Sequence, residues 1–297
     1  MYRTLWWPTN YVLHNLVYGV MQEMNQALPK SSPLCHHRAM IEALIQYLTE
    51  AWAIKAVALS GSRSGGYSDP SSDWDLYVYA DAVPPLALRR VMAERFAVQA
   101  EVGNTFFEEG DELILGDGSI VDLMYRSPSW IEAEIEAVWF HHQAKVGYTT
   151  AFVHNVKTST ILFDREGWFV QLQKSVSGPY PAELQRAIIE KNHPLLQSKL
   201  TASYREQIAK AVERADSVSV QHRTSALLSS YFDVLFALNE VTHPGEKRLV
   251  RWAKEMCSHL PPRFEAEVEA VCSREGDELL SAVDALLDSL DMLLSAC

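Results

Sequence analysis

The stretch Gly61-Ser62, followed after ten residues by Asp73-Trp74-Asp75-Leu76-Tyr77-Val78-Tyr79, decides the fold of this chain. Residues 54–59 before it are apolar, which predicts a buried strand that ends at the glycine-serine corner. Side chains two positions apart on a strand point to the same face, so Asp73 and Asp75 should lie together. Backbone N–H groups and a serine hydroxyl at a strand end are typical phosphate ligands. The pattern therefore predicts a site for a metal-bound nucleotide.

A third acid lies further along the chain. Residues 119–125 (Ser-Ile-Val-Asp-Leu-Met-Tyr) have the composition of a strand, and they place Asp122 among apolar neighbours. An unpaired charge in such surroundings is costly, so Asp122 needs a partner. If its strand lies beside the strand of Asp73 and Asp75, three carboxylates converge, and such a cluster requires either raised pKa values or cations. Mg²⁺ prefers oxygen ligands and bridges to phosphates, which favours two bound Mg²⁺ ions here.

These motifs together resemble the DNA polymerase β-type nucleotidyltransferase superfamily, especially the nucleotidyltransferases that act on aminoglycoside and lincosamide antibiotics. The resemblance covers about residues 35–130. It implies an enzyme that transfers a nucleoside monophosphate, AMP from ATP in the first instance, to a hydroxyl of a small molecule such as an aminoglycoside-like antibiotic. The family's metal-binding roles, with the third acid often also a base, fall on Asp73, Asp75 and Asp122. Its phosphate contacts fall on Gly61 and Ser62, and Arg63 in the following loop is compatible with the same role.

Other interpretations of the motifs remain open at this stage. Residues 61–66 have P-loop-like glycine spacing, but Tyr67 and Ser68 stand where that motif requires Lys and then Ser or Thr. An Asp-x-Asp that opens a strand is also common turn chemistry, and it can serve a sugar-nucleotide glycosyltransferase. A nucleotide-binding regulatory or antitoxin-like module with the same fold is the alternative function. The large second half of the chain and the retention of all three acids argue against that module.

The composition of the chain constrains the kind of partner that the protein binds and the cellular compartment in which it is expected. The chain has 297 residues, 48% hydrophobic residues and a net charge of −12. With no basic tail or stripe, a nucleic acid partner is disfavoured, and a neutral or cationic small acceptor fits better. The four cysteines have no paired spacing, which indicates a reducing, cytoplasmic setting. We find no signal-peptide core and no apolar segment of membrane-spanning length, so no membrane partner is expected.

The periodicity of the chain predicts an α/β (α+β) fold, with a mixed-sheet domain followed by an all-α helical bundle. We expect an N-terminal helical extension over residues 1–34, a catalytic domain over 35–170 and the bundle over 171–297. Within the catalytic domain we predict three helices and a β-hairpin: helices over 36–51, 85–100 and 129–147, and strands over 105–115 and 119–125. The acids Glu108, Glu109, Asp111 and Glu112 are interpreted by default as a solvated face, and the alternative is that one of them lines a pocket for a cationic substrate.

One motif of the second half joins the candidate site. Gly245-Glu246-Lys247-Arg248 follows a break and precedes a helical pattern. Backbone donors and a lysine at such a position can meet phosphate oxygens, which makes Lys247 a candidate nucleotide contact. The alternative is that Pro244-Gly245 only turns the chain and that Lys247 is solvated.

Overall fold

The computed structural model describes residues 33–61, 73–106, 108–198 and 202–296. The predicted extension over 1–34 lies almost entirely outside these ranges, and so do Ser62 and Arg63. The first described helix, α1, spans Pro33–Ala51 and contains the helix expected over 36–51. It leads directly into the sheet.

A mixed sheet of six strands forms the centre of the first half of the described chain, in the order β3-β4-β5-β2-β1-β6. The β2–β5 pair is parallel and the other pairs are antiparallel. This sheet confirms the predicted α/β class. Its strands are β1 Ala56–Ser60, β2 Trp74–Tyr79, β3 Ala97–Asn104, β4 Gly110–Leu115, β5 Ile120–Arg126 and β6 Thr160–Asp164.

Helices cover both faces of the sheet and make up the rest of the described chain. After β6 the described residues contain helices and turns but no strand. None of the helices in the described part of the chain is both long and apolar enough to span a membrane. Beyond α1 they are α2 Leu86–Phe96, α3 Pro128–Ile135, α4 Ala151–Thr158, α5 Trp168–Ser175, α6 Ala182–Leu196, α7 Tyr204–Glu213, α8 Ser217–Leu238, α9 Leu249–Met256, α10 Phe264–Ser273 and α11 Gly276–Ala296.

The alternation of side chains along the strands separates two cores. On one face, Val57, Leu76 and Leu123 pack with residues of α1 and α2. On the other, Ala58 and Tyr79 pack with residues from α3, α4, α5 and α6. A third core joins α6 to α11, with the long helix α8 at its centre. The second face of the sheet therefore looks toward the C-terminal helices.

Local sequence signals explain several helix ends. Pro128 opens α3, where the missing N–H costs nothing. The Asp216 carboxylate caps α8 by accepting from the Ser219 N–H at 3.1 Å, and the Ser203 hydroxyl caps α7 in the same way. These side chains satisfy donors that the first turn of each helix would otherwise leave unpaired.

Three predicted boundaries in the catalytic half were wrong. The helix expected over 85–100 ends at Phe96, and Ala97–Asn104 forms the edge strand β3. Pairing with β4 overrides the helical pattern there, because strand formation depends on cross-strand partners more than on local preference. The first strand of the hairpin starts at Gly110 rather than 105. The helix expected over 129–147 ends in a π-helical turn, Glu136–Phe140.

The interpretation of the acidic stretch as a solvated face was wrong for Asp111. Asp111 is 2% exposed and accepts from Arg89 Nη2 at 2.6 Å and from the Tyr125 hydroxyl at 2.8 Å. Glu109 also pairs with Arg89, and Glu108 pairs with Arg126. Strand alternation turns Asp111 toward the face covered by α2, which carries the buried arginine.

Candidate nucleotide site

Acidic side chains form a row across four strands of the sheet. Asp75 on β2 is in register with Asp122 on β5, which is in register with Glu112 on β4. Glu112 is in turn opposite Glu101 on β3. Directly opposed residues of neighbouring strands share a face, so these four carboxylates, the acid row, lie side by side. Ser60 at the end of β1 is opposite Asp75 and completes the row.

The electrostatics of Asp122 report on its neighbours. The pKa of Asp122 is raised to about 6, mainly by burial and then by the negative charges of Asp75, Glu112 and Asp73 in that order. The positive charge of Lys247 lowers the pKa of the same carboxyl. The structure thus sets Asp75 beside Asp122 and places Asp73 and Lys247 within electrostatic reach of Asp122.

Replacing Asp122 with asparagine is expected to stabilise the metal-free protein at neutral pH. The folded-state pKa of about 6 lies above the ordinary value of 3.8, so the native state binds more protons than the unfolded state between these values. The cost of the charged carboxylate is therefore fully present above pH 6 and vanishes below about pH 4. Thermal melts in EDTA should show a higher Tm for D122N than for wild type at pH 7.5 and equal values at pH 3.5. Equal melting temperatures at pH 7.5 would contradict the buried, crowded carboxylate.

Glycine at position 61 permits the close approach of the Asp75 carboxylate. The backbone of Gly61 is left-handed, with φ +69°. A Cβ at this position would lie 1.9 Å from Asp75 Oδ2, which is far inside contact distance. The end of β1 and the start of β2 are therefore fitted to each other around one carboxylate.

Replacing Gly61 with alanine should displace the Asp75 carboxylate as well as strain the backbone. The left-handed conformation alone costs an L-residue about 1–2 kcal/mol. Gly167→Ala is the matched control, because Gly167 has φ +70° and open space where a Cβ would go. Both variants should lose similar stability in urea unfolding, and only G61A should lose nucleotide-dependent turnover, by at least about tenfold. Equal turnover of the two variants would show that the contact between Gly61 and Asp75 has no role in the site.

Two residues near the row were missed by the sequence interpretation. The Ser60 hydroxyl accepts from Asn155 Nδ2 at 2.5 Å and so ties β1 to α4. Glu112 joins the acid row, although its stretch was by default assigned to solvent. Strand alternation predicts that residues 111 and 112 face opposite sides of the sheet. The sequence does not show which of the two shares a face with Asp122.

Lys247 lies in the connection between α8 and α9. The helix α9 begins at Leu249, after Arg248 in a left-handed conformation with φ +59°. Lys247 thus lies two residues before the helix start, close to the position expected from the sequence, and it is exposed. Its effect on Asp122 indicates that the C-terminal half contributes a cation to a site built mainly on the sheet.

The donor set fits a hard divalent cation in its chemistry. Carboxylate oxygens are the ligands that Mg²⁺ prefers, and the mutual repulsion of the acid row is what a cation would relieve. In the described part of the chain, no three His, Cys, Asp or Glu side chains are close enough together to form a metal-binding group. The three acids therefore fit such a cation by the type of their ligand atoms, and Asp75 and Asp122 also by their opposed positions on neighbouring strands.

No protein-family model and no curated protein matches the chain. The chain is similar to solved nucleotidyltransferases. A nucleotidyltransferase-like protein from Exiguobacterium sibiricum 255-15 has 14% identity and TM-score 0.42, covering 86% of this chain and 75% of that one. An aminoglycoside 6-adenyltransferase from Bacillus subtilis has 9% identity and TM-score 0.30, with coverages of 86% and 90%. The Thermotoga maritima CCA-adding enzyme complexed with tRNA has 10% identity and TM-score 0.31, with coverages of 86% and 80%.

Proposed function

We propose that this protein is a Mg²⁺-dependent nucleotidyltransferase that transfers a nucleoside monophosphate, AMP from ATP, to a hydroxyl of a small molecule. The observation that carries the proposal is the register of Asp75 with Asp122 on parallel strands. Gly61 packs against the first carboxylate, and Lys247 lies within electrostatic reach of the second. This arrangement supplies anionic metal ligands, a close backbone approach and a cation for phosphate within one site.

In this proposal Asp73, Asp75 and Asp122 hold the Mg²⁺ ions, which when bound would neutralise charge on the triphosphate. Asp122 also accepts the proton of the acceptor hydroxyl, because an ionised carboxylate beside that hydroxyl can act as a general base. The hydroxyl oxygen forms a bond to the α-phosphorus, the bond from that phosphorus to the β-bridging oxygen breaks, and pyrophosphate leaves. Lys247, with Gly61, Ser62 and Arg63, contacts the departing phosphates.

The rest of the acid row supports a cationic acceptor. Glu112 and Glu101 are exposed and continue the row away from Asp122. A negative surface beside the reacting hydroxyl attracts a positively charged small molecule, and an aminoglycoside-like compound has both hydroxyls and ammonium groups. The net charge of −12 disfavours a nucleic acid acceptor. We further propose a catalytic domain over 35–170, a helical domain over 171–297 and a cytoplasmic setting.

Replacing Glu112 with glutamine should weaken binding of a cationic acceptor selectively. An exposed ion pair contributes about 0.2–1 kcal/mol, so KM for such an acceptor should rise by about 1.4-fold to fivefold with kcat unchanged. Steady-state kinetics with a cationic and a neutral acceptor would measure this, and Glu269→Gln, at an exposed position of α10, is the control. An equal rise in KM for the neutral acceptor would argue against a charge-based role for Glu112.

The proposal is tested by incubating the protein with labelled ATP, Mg²⁺ and a panel of hydroxylated antibiotics and metabolites. Pyrophosphate release together with a nucleotidylated product is the expected result, and competition by other nucleoside triphosphates reports donor preference. Mg²⁺-dependent ATP binding without turnover on any acceptor would instead favour the nucleotide-binding regulatory or antitoxin-like module. Absence of nucleotide binding would overturn both.

A further inference from the structure

The connection between α8 and α9, which carries Lys247, contains a fully buried histidine, His243. His243 has 0% exposure, and its ring packs edge-on against Tyr148 and Phe236 at centroid distances of 4.8 and 5.0 Å. Its backbone N–H donates to the Thr150 hydroxyl at 2.8 Å. A polar aromatic side chain is thus enclosed where the two halves of the chain meet, although no step of the proposed reaction uses it.

The ring of His243 closes the turn that follows it. Nδ1 accepts a hydrogen bond from the Gly245 N–H at 3.1 Å, so the neutral ring must carry its proton on Nε2. Nε2 has no hydrogen-bond partner among the described residues, which leaves Nδ1 as the ring's polar link. Burial and the neighbouring His154 lower the pKa of His243 to about 3, which keeps Nδ1 an acceptor at neutral pH. Gly245 takes φ +101° in this turn.

A second histidine, His154, holds Thr242, the residue before His243. His154 Nδ1 on α4 lies 2.9 Å from the Thr242 hydroxyl and 3.1 Å from its carbonyl oxygen. The His154 ring also contacts Trp252 on α9 at 5.9 Å between centroids. The connection is therefore tied to the catalytic half at Thr242 and His243, directly ahead of the exposed segment that carries Lys247.

We propose that His243 is a positioning residue for triphosphate binding, acting through Lys247. Its Nδ1 holds the Gly245 turn in the conformation that directs the following residues toward the acid row. A flexible lysine on an unfixed connection would lose entropy on binding phosphate, and a preformed turn reduces that loss. The inference rests on the proposed function, because it assigns the role of His243 within the same nucleotide site.

The test is a double-mutant cycle in the full-length protein. The probe is Mg²⁺ with α,β-methylene-ATP, which cannot transfer its nucleoside monophosphate, and calorimetry gives the Kd. Lys247→Ala should weaken binding about tenfold, the scale of one charge-assisted hydrogen bond. His243→Phe keeps a buried ring and removes the acceptor, so it should weaken binding by roughly threefold to tenfold. His243→Asn restores an acceptor near the Nδ1 position and should recover most of the affinity.

The decisive measurement is H243F in the K247A background, where we expect no further change in Kd because the effect passes through the lysine. Val283→Ala, a buried change on α11, serves as the stability control, and its Kd should match wild type despite a lowered Tm. Additive effects of H243F and K247A, or an unchanged Kd in H243F, would overturn the inference while leaving the proposed function intact. Failure of the wild-type protein to bind the probe would overturn both.

Discussion

Replacing Asp75 with asparagine is expected to reduce nucleotidyl transfer by about a thousandfold. Asp75 is in register with Asp122, and its carboxylate fits against Gly61, so the amide removes an anionic oxygen at the centre of the site. No neighbour can replace it, because Asp122 and Asp73 have their own positions in the cluster. Product formation from labelled ATP under saturating Mg²⁺ measures the loss.

Two controls separate this effect from misfolding. Asp81→Asn removes a carboxylate just beyond the other end of β2, where the residue is exposed, and its turnover should equal that of wild type. D75N should melt at the wild-type temperature or above it in EDTA, since one of several crowded negative charges is gone. A D75N protein with normal turnover and a normal nucleotide-induced rise in Tm would refute the site.

The sequence predicted the centre of this site better than its edges. Asp75 and Asp122 were identified because each lies in a short apolar strand, where alternation and the cost of a buried charge limit what a carboxylate can do. Glu112 was missed because the acids from 108 to 112 alternate between faces, and the phase depends on where β4 begins. That start is set by pairing with β3, which was itself taken for the end of a helix.

The connection that carries Lys247 also combines features that the sequence predicted with a contact that it did not. Its local sequence predicted a break followed by a helix start, and both are present. The anchoring of His243 on Thr150 joins residues 93 positions apart, a pairing that no local pattern encodes. The sequence thus predicted features that depend on neighbouring residues of the chain, such as a helix start. It did not predict which side chains are buried, because that depends on the element that packs against them.

The second large effect is on stability and lies on the opposite face of the sheet. Replacing Arg89 with methionine is expected to lower the free energy of unfolding by about 3–5 kcal/mol. The Arg89 side chain is 1% exposed, and that of Asp111 is 0% exposed. The guanidinium also donates to the Gly110 carbonyl at 2.9 Å. Methionine fills much of the space but removes the cation paired with the buried Asp111, which keeps, among the described residues, its hydrogen bonds from the Tyr125 hydroxyl and the Gly103 N–H.

Urea unfolding of three variants tests this reasoning. The double variant R89M/D111L also lacks the buried carboxylate of Asp111. It should be more stable than R89M, because an apolar pair can replace a buried ion pair at little cost in stability. Arg38→Met provides the exposed comparison, since Arg38 and Glu42 pair on the surface of α1 with side chains 75% and 64% exposed. That change should alter stability by about 0.5 kcal/mol or less. If R89M were no less stable than R38M, the buried pair would be redundant with the packing of α2 on the sheet. The loss is instead expected to be several times larger, because the charge of Asp111 cannot reach water once α2 covers it.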